Sequence, residues 1–77
     1  MMQLSKAQFG KMLANKLQKT SDLVTLSRWS YEIFLDYQRG LEPSLRDLLL
    51  DLARMEDAPE FEYSVDELRK LARDLQN

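Results

Sequence analysis

Cysteine and histidine are both absent from this sequence of 77 residues. Their absence excludes disulfide frameworks, zinc sites made of thiolates or imidazoles, and nucleophiles activated by a neighbouring histidine. Long apolar runs are absent too. None approaches the roughly 18–20 residues of a membrane span, and lysines interrupt any apolar leader near the N-terminus. We therefore expect a cytoplasmic protein that binds no membrane, no metal and no cofactor.

Glycine and proline are scarce, with two of each, while fifteen leucines stand against two valines and one isoleucine. Unbranched and γ-branched side chains lose little rotamer freedom in a helix, so this composition favours helices. A chain of this length has room for one domain. We predict an all-α fold, a single helical domain over residues 1–77. Short connections favour a compact bundle of four short helices.

The first helix is predicted over residues 6–19. Ser5 and Gln8 have the spacing of a capping box, and Leu4 and Phe9 that of a hydrophobic staple. The apolar face of this helix consists of Phe9, Met12, Leu13 and Leu17. Gly10 is expected to weaken the helix by about 1 kcal/mol relative to alanine.

The second helix is predicted over residues 26–39, with Thr25 as its N-cap and Gly40 in the C′ position. Its charged residues form one narrow stripe, and apolar side chains cover most of the remaining circumference. The apolar set is Leu26, Trp29, Tyr31, Ile33, Phe34, Leu35 and Tyr37. A helix that is apolar over so much of its surface is normally packed on several sides. We therefore expect it to be the central helix.

The third helix is predicted to begin at or just after Pro43 and to stop at Asp57, Ala58 and Pro59. Ser44 and Asp47 have the spacing of a capping box for it. Its apolar face consists of Leu45, Leu48, Leu49, Leu52 and Met55, and Leu50 falls off this face. An extended linker over residues 60–63 precedes the fourth helix.

The fourth helix has the clearest start signal. Ser64 and Glu67 form a capping box, and Tyr63 and Leu68 have the spacing of a hydrophobic staple. Its apolar face consists of Val65, Leu68, Leu71, Ala72 and Leu75. We expect ion pairs between side chains four residues apart on the opposite face, Asp66 with Lys70 and Lys70 with Asp74.

The net charge of −2 hides an asymmetry along the chain. Residues 1–28 contain five basic residues and one acidic residue, whereas residues 29–77 contain six basic and twelve acidic residues. Residues 56–67, which we call the acidic segment, contain six carboxylates and no lysine or arginine. Crowded carboxylates repel one another and cost stability unless something offsets them, and a basic partner would do so. The acidic segment is therefore the leading candidate for a binding site.

Catalysis is not expected from the residues present. Two pairs of carboxylates share helix faces, Asp47 with Asp51 and Glu32 with Asp36. Arginines lie within reach of each pair along the same helix, which is the usual pattern of a solvated, salt-bridged surface. The two glycines are isolated, so no glycine-rich phosphate loop is present. We predict that the protein is not an enzyme.

Two further functions remain as alternatives. A small DNA-binding regulator would use the lysines of the first helix, which are Lys6, Lys11, Lys16 and Lys19. These lysines project in several directions around the helix, and a pI near 5.0 is low for a nucleic-acid-binding domain. A homodimeric helical module would use Leu50, Tyr31 and Leu35 as its contact.

From about Asp22 onward, the chain resembles a group of small bacterial helical proteins. The resemblance is carried by a capped tryptophan-containing helix at residues 25–30 (TLSRWS), a leucine-rich helix at 45–55 and an acidic aromatic linker before a serine-capped helix at 60–68 (EFEYSVDEL). This group is similar to immunity proteins that are encoded beside toxins in bacterial competition systems, including contact-dependent inhibition. The lysine-rich first helix lies outside the resemblance.

The resemblance implies an inhibitor that neutralises a cognate toxin inside the producing cell. Many such toxins are nucleases, and a nuclease must present a basic surface to its substrate. An acidic surface on the inhibitor would match it in charge. We predict that the partner-binding residues are Asp57, Glu60, Phe61, Glu62, Tyr63 and Asp66.

Overall fold

The computed structural model describes residues 4–55, 57 and 63–77, and within these ranges the chain forms four α-helices and no strand. The helices are α1 (Lys6–Lys19), α2 (Leu23–Tyr37), α3 (Pro43–Ala53) and α4 (Val65–Gln76). Helix α1 packs mainly against α4, and α2 packs mainly against α3. The predicted all-α fold of four short helices is confirmed.

Both predicted capping boxes are present. The Ser5 hydroxyl accepts a hydrogen bond from the Gln8 N–H (3.1 Å), and the Gln8 side chain accepts one from the Ser5 N–H (3.0 Å). Ser64 and Glu67 make the same reciprocal pair at the start of α4, both at 3.1 Å. Each box satisfies two N–H groups that have no partner within the helix. The predicted bounds of α1 are confirmed as well.

Helix α2 begins three residues earlier than predicted. We expected Thr25 to cap the helix, but the N-cap is Asp22. Its carboxylate accepts hydrogen bonds from the Val24 N–H (3.3 Å) and from the Thr25 hydroxyl (2.6 Å). Thr25 therefore lies inside the helix and donates to the cap. An ionised carboxylate is a stronger acceptor than a hydroxyl and also complements the helix dipole, so Asp22 takes the capping position.

The predicted end of α2 is also wrong. The helix ends at Tyr37, and its C-cap, Gln38, has a right-handed backbone conformation. Gly40 does not have the positive φ of a C′ glycine. Its N–H donates to the Tyr37 carbonyl (2.8 Å), so a tight turn follows the helix.

Helix α3 begins with Pro43 at its first position, as predicted, but without the predicted capping box of Ser44 and Asp47. The N-cap is Glu42, which makes no side-chain capping bond. The fixed φ of proline suits the first helical position. Ser44 consequently lies inside the helix, where it cannot serve as the cap.

One apolar core serves both helix pairs. Buried side chains from all four helices meet in it, together with Leu4 before α1 and Met55 after α3. The fully or almost fully buried helical members are Phe9, Leu13, Leu17, Leu26, Ile33, Leu45, Leu49, Leu52, Leu68 and Ala72. Most of them lie on the predicted apolar faces, so the helical periodicity identified most of the core.

Contacts between the two helix pairs hold the bundle together. The ring of Phe9 on α1 stacks on Trp29 of α2, with 5.7 Å between ring centroids. Leu4 and Leu41 form an isolated parallel β-bridge between the segments that precede α1 and α3. The Tyr63 N–H, before α4, points to the sulfur of Met55 at 3.4 Å.

Helix α2 is not enclosed on several sides, contrary to our expectation of a central helix. Its buried residues are Leu26, Ser27, Ser30 and Ile33. On the other side, Tyr31 and Leu35 are about half exposed. The apolar surface of α2 is thus wider than the face that the core needs.

Gly10 lies at the closest approach of α1 and α4. It is buried, and a Cβ atom added there would lie 2.8 Å from both the Ala72 carbonyl oxygen and the Leu75 Cβ. Contacts this short require the neighbouring backbone to move. The glycine that weakens α1 on its own therefore permits the packing of α1 against α4.

We expect Gly10→Ala to destabilise the protein, although alanine is the better helix former. The overpacked contact should lower the free energy of unfolding by roughly 1–3 kcal/mol, measured by urea denaturation. Asn15→Ala, an exposed position in the interior of the same helix, is the control and should be slightly stabilising. A stabilised Gly10→Ala variant would contradict the close approach.

We expect Ser64→Ala to lower the free energy of unfolding by about 1 kcal/mol, because it removes the α4 cap. Ser44→Ala should have little effect, since Ser44 does not cap α3. The comparison uses the same substitution at two exposed serines near helix starts. Equal losses from both variants would show that Ser44 caps α3 after all.

Candidate functional site

Three exposed apolar side chains form a stripe along α2. Val24, Tyr31 and Leu35 are 43%, 48% and 44% exposed, and their spacing of seven and four residues places them on one helix face. The ring of Tyr31 stacks on Phe34, with 6.1 Å between centroids. We call these three residues the α2 stripe. Tyr31 and Leu35 are neighbours on this face, and grouped exposed apolar side chains are a typical feature of an interaction surface.

A groove of about 350 Å³ lies beside the stripe, between α2 and the end of α3. Its lining residues are Ser27, Arg28, Tyr31, Leu50, Ala53, Arg54 and Asp57. We call it the α2–α3 groove. Tyr31 belongs to both the stripe and the groove, so the two form one continuous surface.

A part-buried hydrogen bond joins two of the residues that line the α2–α3 groove. The hydroxyl of Ser27 on α2 donates to the carbonyl of Ala53 at the end of α3 (2.8 Å). Ser27 is almost completely buried, so this bond satisfies a polar group that would otherwise be costly to bury. It ties the two helices together where the groove forms.

The charged side chains at the groove are of both signs. Arg54 lies 3.6 Å from Asp51, its neighbour one turn earlier in α3. Asp57 is exposed, and its N–H donates to the Arg54 carbonyl (3.1 Å) in a turn that follows α3. Asp57, a member of the acidic segment, therefore lines the same groove as the exposed Tyr31 and the half-buried Leu50.

The structure places only part of the predicted partner-binding set. Asp57 lines the α2–α3 groove. Tyr63 is half-buried and packs against the core, in agreement with its predicted role as a staple. Asp66 is 92% exposed, and its carboxylate lies 3.4 Å from Arg69 instead of pairing with Lys70 as predicted. Glu60, Phe61 and Glu62 lie outside the described residues.

The α2 stripe was not part of the predicted partner-binding site. A partial signal for this surface is in the sequence, since Leu50 falls off the apolar face of α3 and the apolar residues of α2, with Tyr31 and Leu35 among them, cover more than one helix face. From the sequence, these three residues were predicted only as the contact of a homodimeric helical module. The structure adds that two of them, Tyr31 and Leu50, share a groove with Asp57.

The carboxyl group of Asp22 anchors the first turn of α2, next to Val24 of the stripe. The hydrogen bond from the Thr25 hydroxyl lowers the pKa of Asp22 below the ordinary value of 3.8, and backbone N–H groups of Val24 and Thr25 add to the effect. Partial desolvation opposes the shift, and the charge of Arg28 reinforces it. The net effect keeps Asp22 ionised at the helix start.

The described residues contain neither a metal site nor a membrane-spanning helix. No group of three or more acidic side chains there is placed to hold a metal ion. No helix in this part of the chain is both long enough and apolar enough to cross a membrane.

Comparison with known proteins does not assign the chain to a family. No protein-family model matches the chain, and no curated protein or solved structure is significantly similar to it. The resemblance to immunity proteins therefore stays a prediction.

We expect Thr25→Val to raise the pKa of Asp22 toward 3.8, because valine keeps the shape of threonine but cannot donate the hydrogen bond. A lowered pKa in the folded state stabilises the protein above the unfolded-state pKa, and this stabilisation is lost as pH falls through the folded-state pKa. The stability difference between wild type and variant should therefore be full at neutral pH and shrink below about pH 4.

The pKa of Asp22 is measured by an NMR titration of its carboxyl carbon. Ser21→Ala, at the exposed position before Asp22, is the control and should leave the titration unchanged. A wild-type pKa at or above 3.8 would contradict the capping role of the carboxylate.

Proposed function

We propose that this protein is a non-catalytic binding protein of the immunity type, which neutralises a cognate protein toxin with a basic surface. The observation that carries the proposal is one continuous surface. The α2 stripe joins the α2–α3 groove, and Asp57 of the acidic segment lines that groove. An apolar anchor with an exposed carboxylate beside it suits a protein partner with basic residues around an apolar contact.

The apolar part of the surface supports a protein partner. Protein interfaces obtain most of their affinity from a few buried residues, with tyrosine among the most frequent. Tyr31 is half exposed, and its ring is already held by stacking on Phe34. The side chain of Tyr31 would therefore lose little conformational entropy when a partner covers it.

The acidic part of the surface supports a partner of opposite charge. Asp57 and Asp66 are both exposed. The ion pair of Asp66 with Arg69 is solvent-exposed on both sides, and such pairs contribute little, so the Asp66 carboxylate is available to a basic partner. Complementary charge mainly accelerates association. Arg28 and Arg54 also line the α2–α3 groove and would repel basic residues there, so we expect the basic residues of the partner to contact the exposed carboxylates of Asp57 and Asp66.

The first test is co-purification with the product of the adjacent upstream gene, followed by an assay of whether the protein inhibits that product. We expect a complex and inhibition. If the product is not a toxin and does not bind, the proposal of an immunity protein is wrong.

The second test assigns the surface on the same complex, with the affinity measured by calorimetry and the association rate by stopped-flow fluorescence. Tyr31→Ala should weaken binding about 30-fold, the effect of a hot-spot residue, and Tyr31→Phe should retain most of the affinity. Asp57→Asn should slow association and reduce its salt dependence. Asp36→Asn is the matched control, since Asp36 is an exposed carboxylate on the charged side of α2. If all four variants bind like wild type, the interface lies elsewhere.

A homodimer through the same surface is a second candidate, favoured by the exposure of Tyr31 and Leu35. In that arrangement the α2 stripes of two copies would cover each other. Sedimentation velocity at micromolar concentration separates the two candidates. A monomer excludes the homodimer, whereas a dimer that Leu35→Asp dissociates supports it.

A further inference from the structure

A second groove lies between α1 and α4, away from the surface proposed above. It has a volume of about 410 Å³, within the usual range of ligand-binding clefts. Its lining residues are Ala14, Leu17, Gln18, Arg69, Ala72, Arg73, Gln76 and Asn77. We call it the α1–α4 groove.

The floor of the α1–α4 groove is apolar and its rim is basic. Leu17 and Ala72 are buried, and Ala14 is half-buried. Arg69 and Arg73 are four residues apart on α4, so both guanidinium groups reach the same side of the groove. None of its described lining residues is acidic. The groove therefore favours a ligand with negative charge and a small apolar part.

The charges around the groove strengthen this preference. The first acidic residue of the chain is Asp22, so α1 itself contains only basic charges. Lys11 is exposed and shares a helix face with Ala14 and Gln18. Arg73 has no ion-pair partner among the described residues, and Arg69 has only the exposed pair with Asp66. A ligand carboxylate would therefore find guanidinium groups with little local competition.

Amide groups complete the rim of the α1–α4 groove. The Gln76 side-chain NH₂ donates to the Ala72 carbonyl (3.1 Å), which leaves its oxygen to accept from a ligand. Gln18 is exposed on the opposite wall. Amide side chains can both donate to and accept from a peptide backbone. This combination suits a polypeptide better than a simple anion.

The distribution of lysines argues against nucleic acid as the occupant. Lys16 does not face the groove, because its Nζ lies 5.9 Å from the centroid of the Trp29 ring on α2. A phosphate backbone is followed by an extended basic stripe, whereas here the basic groups at the groove are local. A phosphate backbone would also leave the apolar floor unused.

We propose that the α1–α4 groove binds an acidic peptide segment of a partner protein. Carboxylates of the segment would pair with Arg69 and Arg73, and an apolar side chain would cover Leu17 and Ala72. This site lies outside the α2–α3 groove, and it meets the proposed toxin-binding residues only at the exposed pair of Arg69 with Asp66.

The test measures fluorescence anisotropy with a short labelled peptide of glutamates and leucines. We expect micromolar binding that weakens at least tenfold when glutamines replace the glutamates of the peptide. The double variant Arg69→Gln, Arg73→Gln should also lose at least tenfold. The control is Arg39→Gln, Arg46→Gln, which changes the net charge equally at two exposed arginines outside the groove and should bind like wild type. Tyr31→Ala should bind normally too.

Three outcomes would overturn this proposal. Equal losses from the two double variants would show non-specific attraction. Tighter binding of a short DNA duplex than of the peptide, abolished by Arg69→Gln, Arg73→Gln, would identify the groove as a nucleic-acid site. Absence of peptide-induced NMR shifts at the amides of Ala14 and Ala72 would place the peptide elsewhere. Circular dichroism of each variant verifies that it is folded.

Discussion

The contacts of two consecutive residues of α1, Phe9 and Gly10, hold the bundle together. The Phe9 ring is completely buried and stacks on Trp29, which connects α1 to α2 and hence to the α2–α3 pair. The absent side chain of Gly10 lets the backbone of α4 approach closely. A domain of this size has a small stability margin, and in this chain no disulfide supplements it. The protein therefore depends on α1, the helix whose sequence indicated the least intrinsic stability.

The packing of α1 explains why part of the apolar surface of α2 is exposed to solvent. Because α2 packs mainly against α3, and its Trp29 stacks on Phe9 of α1, one face of α2 is sufficient for the core. The part-buried bond from Ser27 to Ala53 fixes α2 against α3. Tyr31 and Leu35 are thus presented on a helix that is held in place. A rigid helix is a precise platform for an interface, because little conformational entropy is lost when a partner binds.

The parts of the fold that the sequence predicted are those that depend on interactions within three or four residues. Ser5 with Gln8, and Ser64 with Glu67, form capping boxes whose geometry is local, and the apolar faces follow from helical periodicity. Where two local signals compete, the prediction failed. The sequence favoured Thr25 as the cap of α2, but the stronger acceptor Asp22 caps it.

The packing of residues that are far apart in the chain could not be predicted from the sequence. From the sequence, Gly10 only weakens a helix, and the structure shows that it makes room for Ala72 of α4. From the sequence, Tyr31 belongs to the core, and the structure shows it half exposed because α3 covers a different face of α2.

The candidate site was likewise predictable only in part. The position of Tyr63 and the exposure of Asp57 and Asp66 agree with the prediction. Asp57 lines the α2–α3 groove together with side chains of α2, and no sequence spacing reveals that placement.

Basic residues are concentrated in α1 and acidic residues later in the chain, and the fold does not require this separation. The described ion pairs join Arg46 with Asp47, Asp51 with Arg54, and Asp66 with Arg69, all in the acidic part of the chain. The lysines of α1 take part in none of them, so the positive charge of that helix is not neutralised by described neighbours. Like charges kept together cost stability, and a small domain has little to spare. The two proposals above give this segregation a function, since each assigns a partner of opposite charge to one part of the chain.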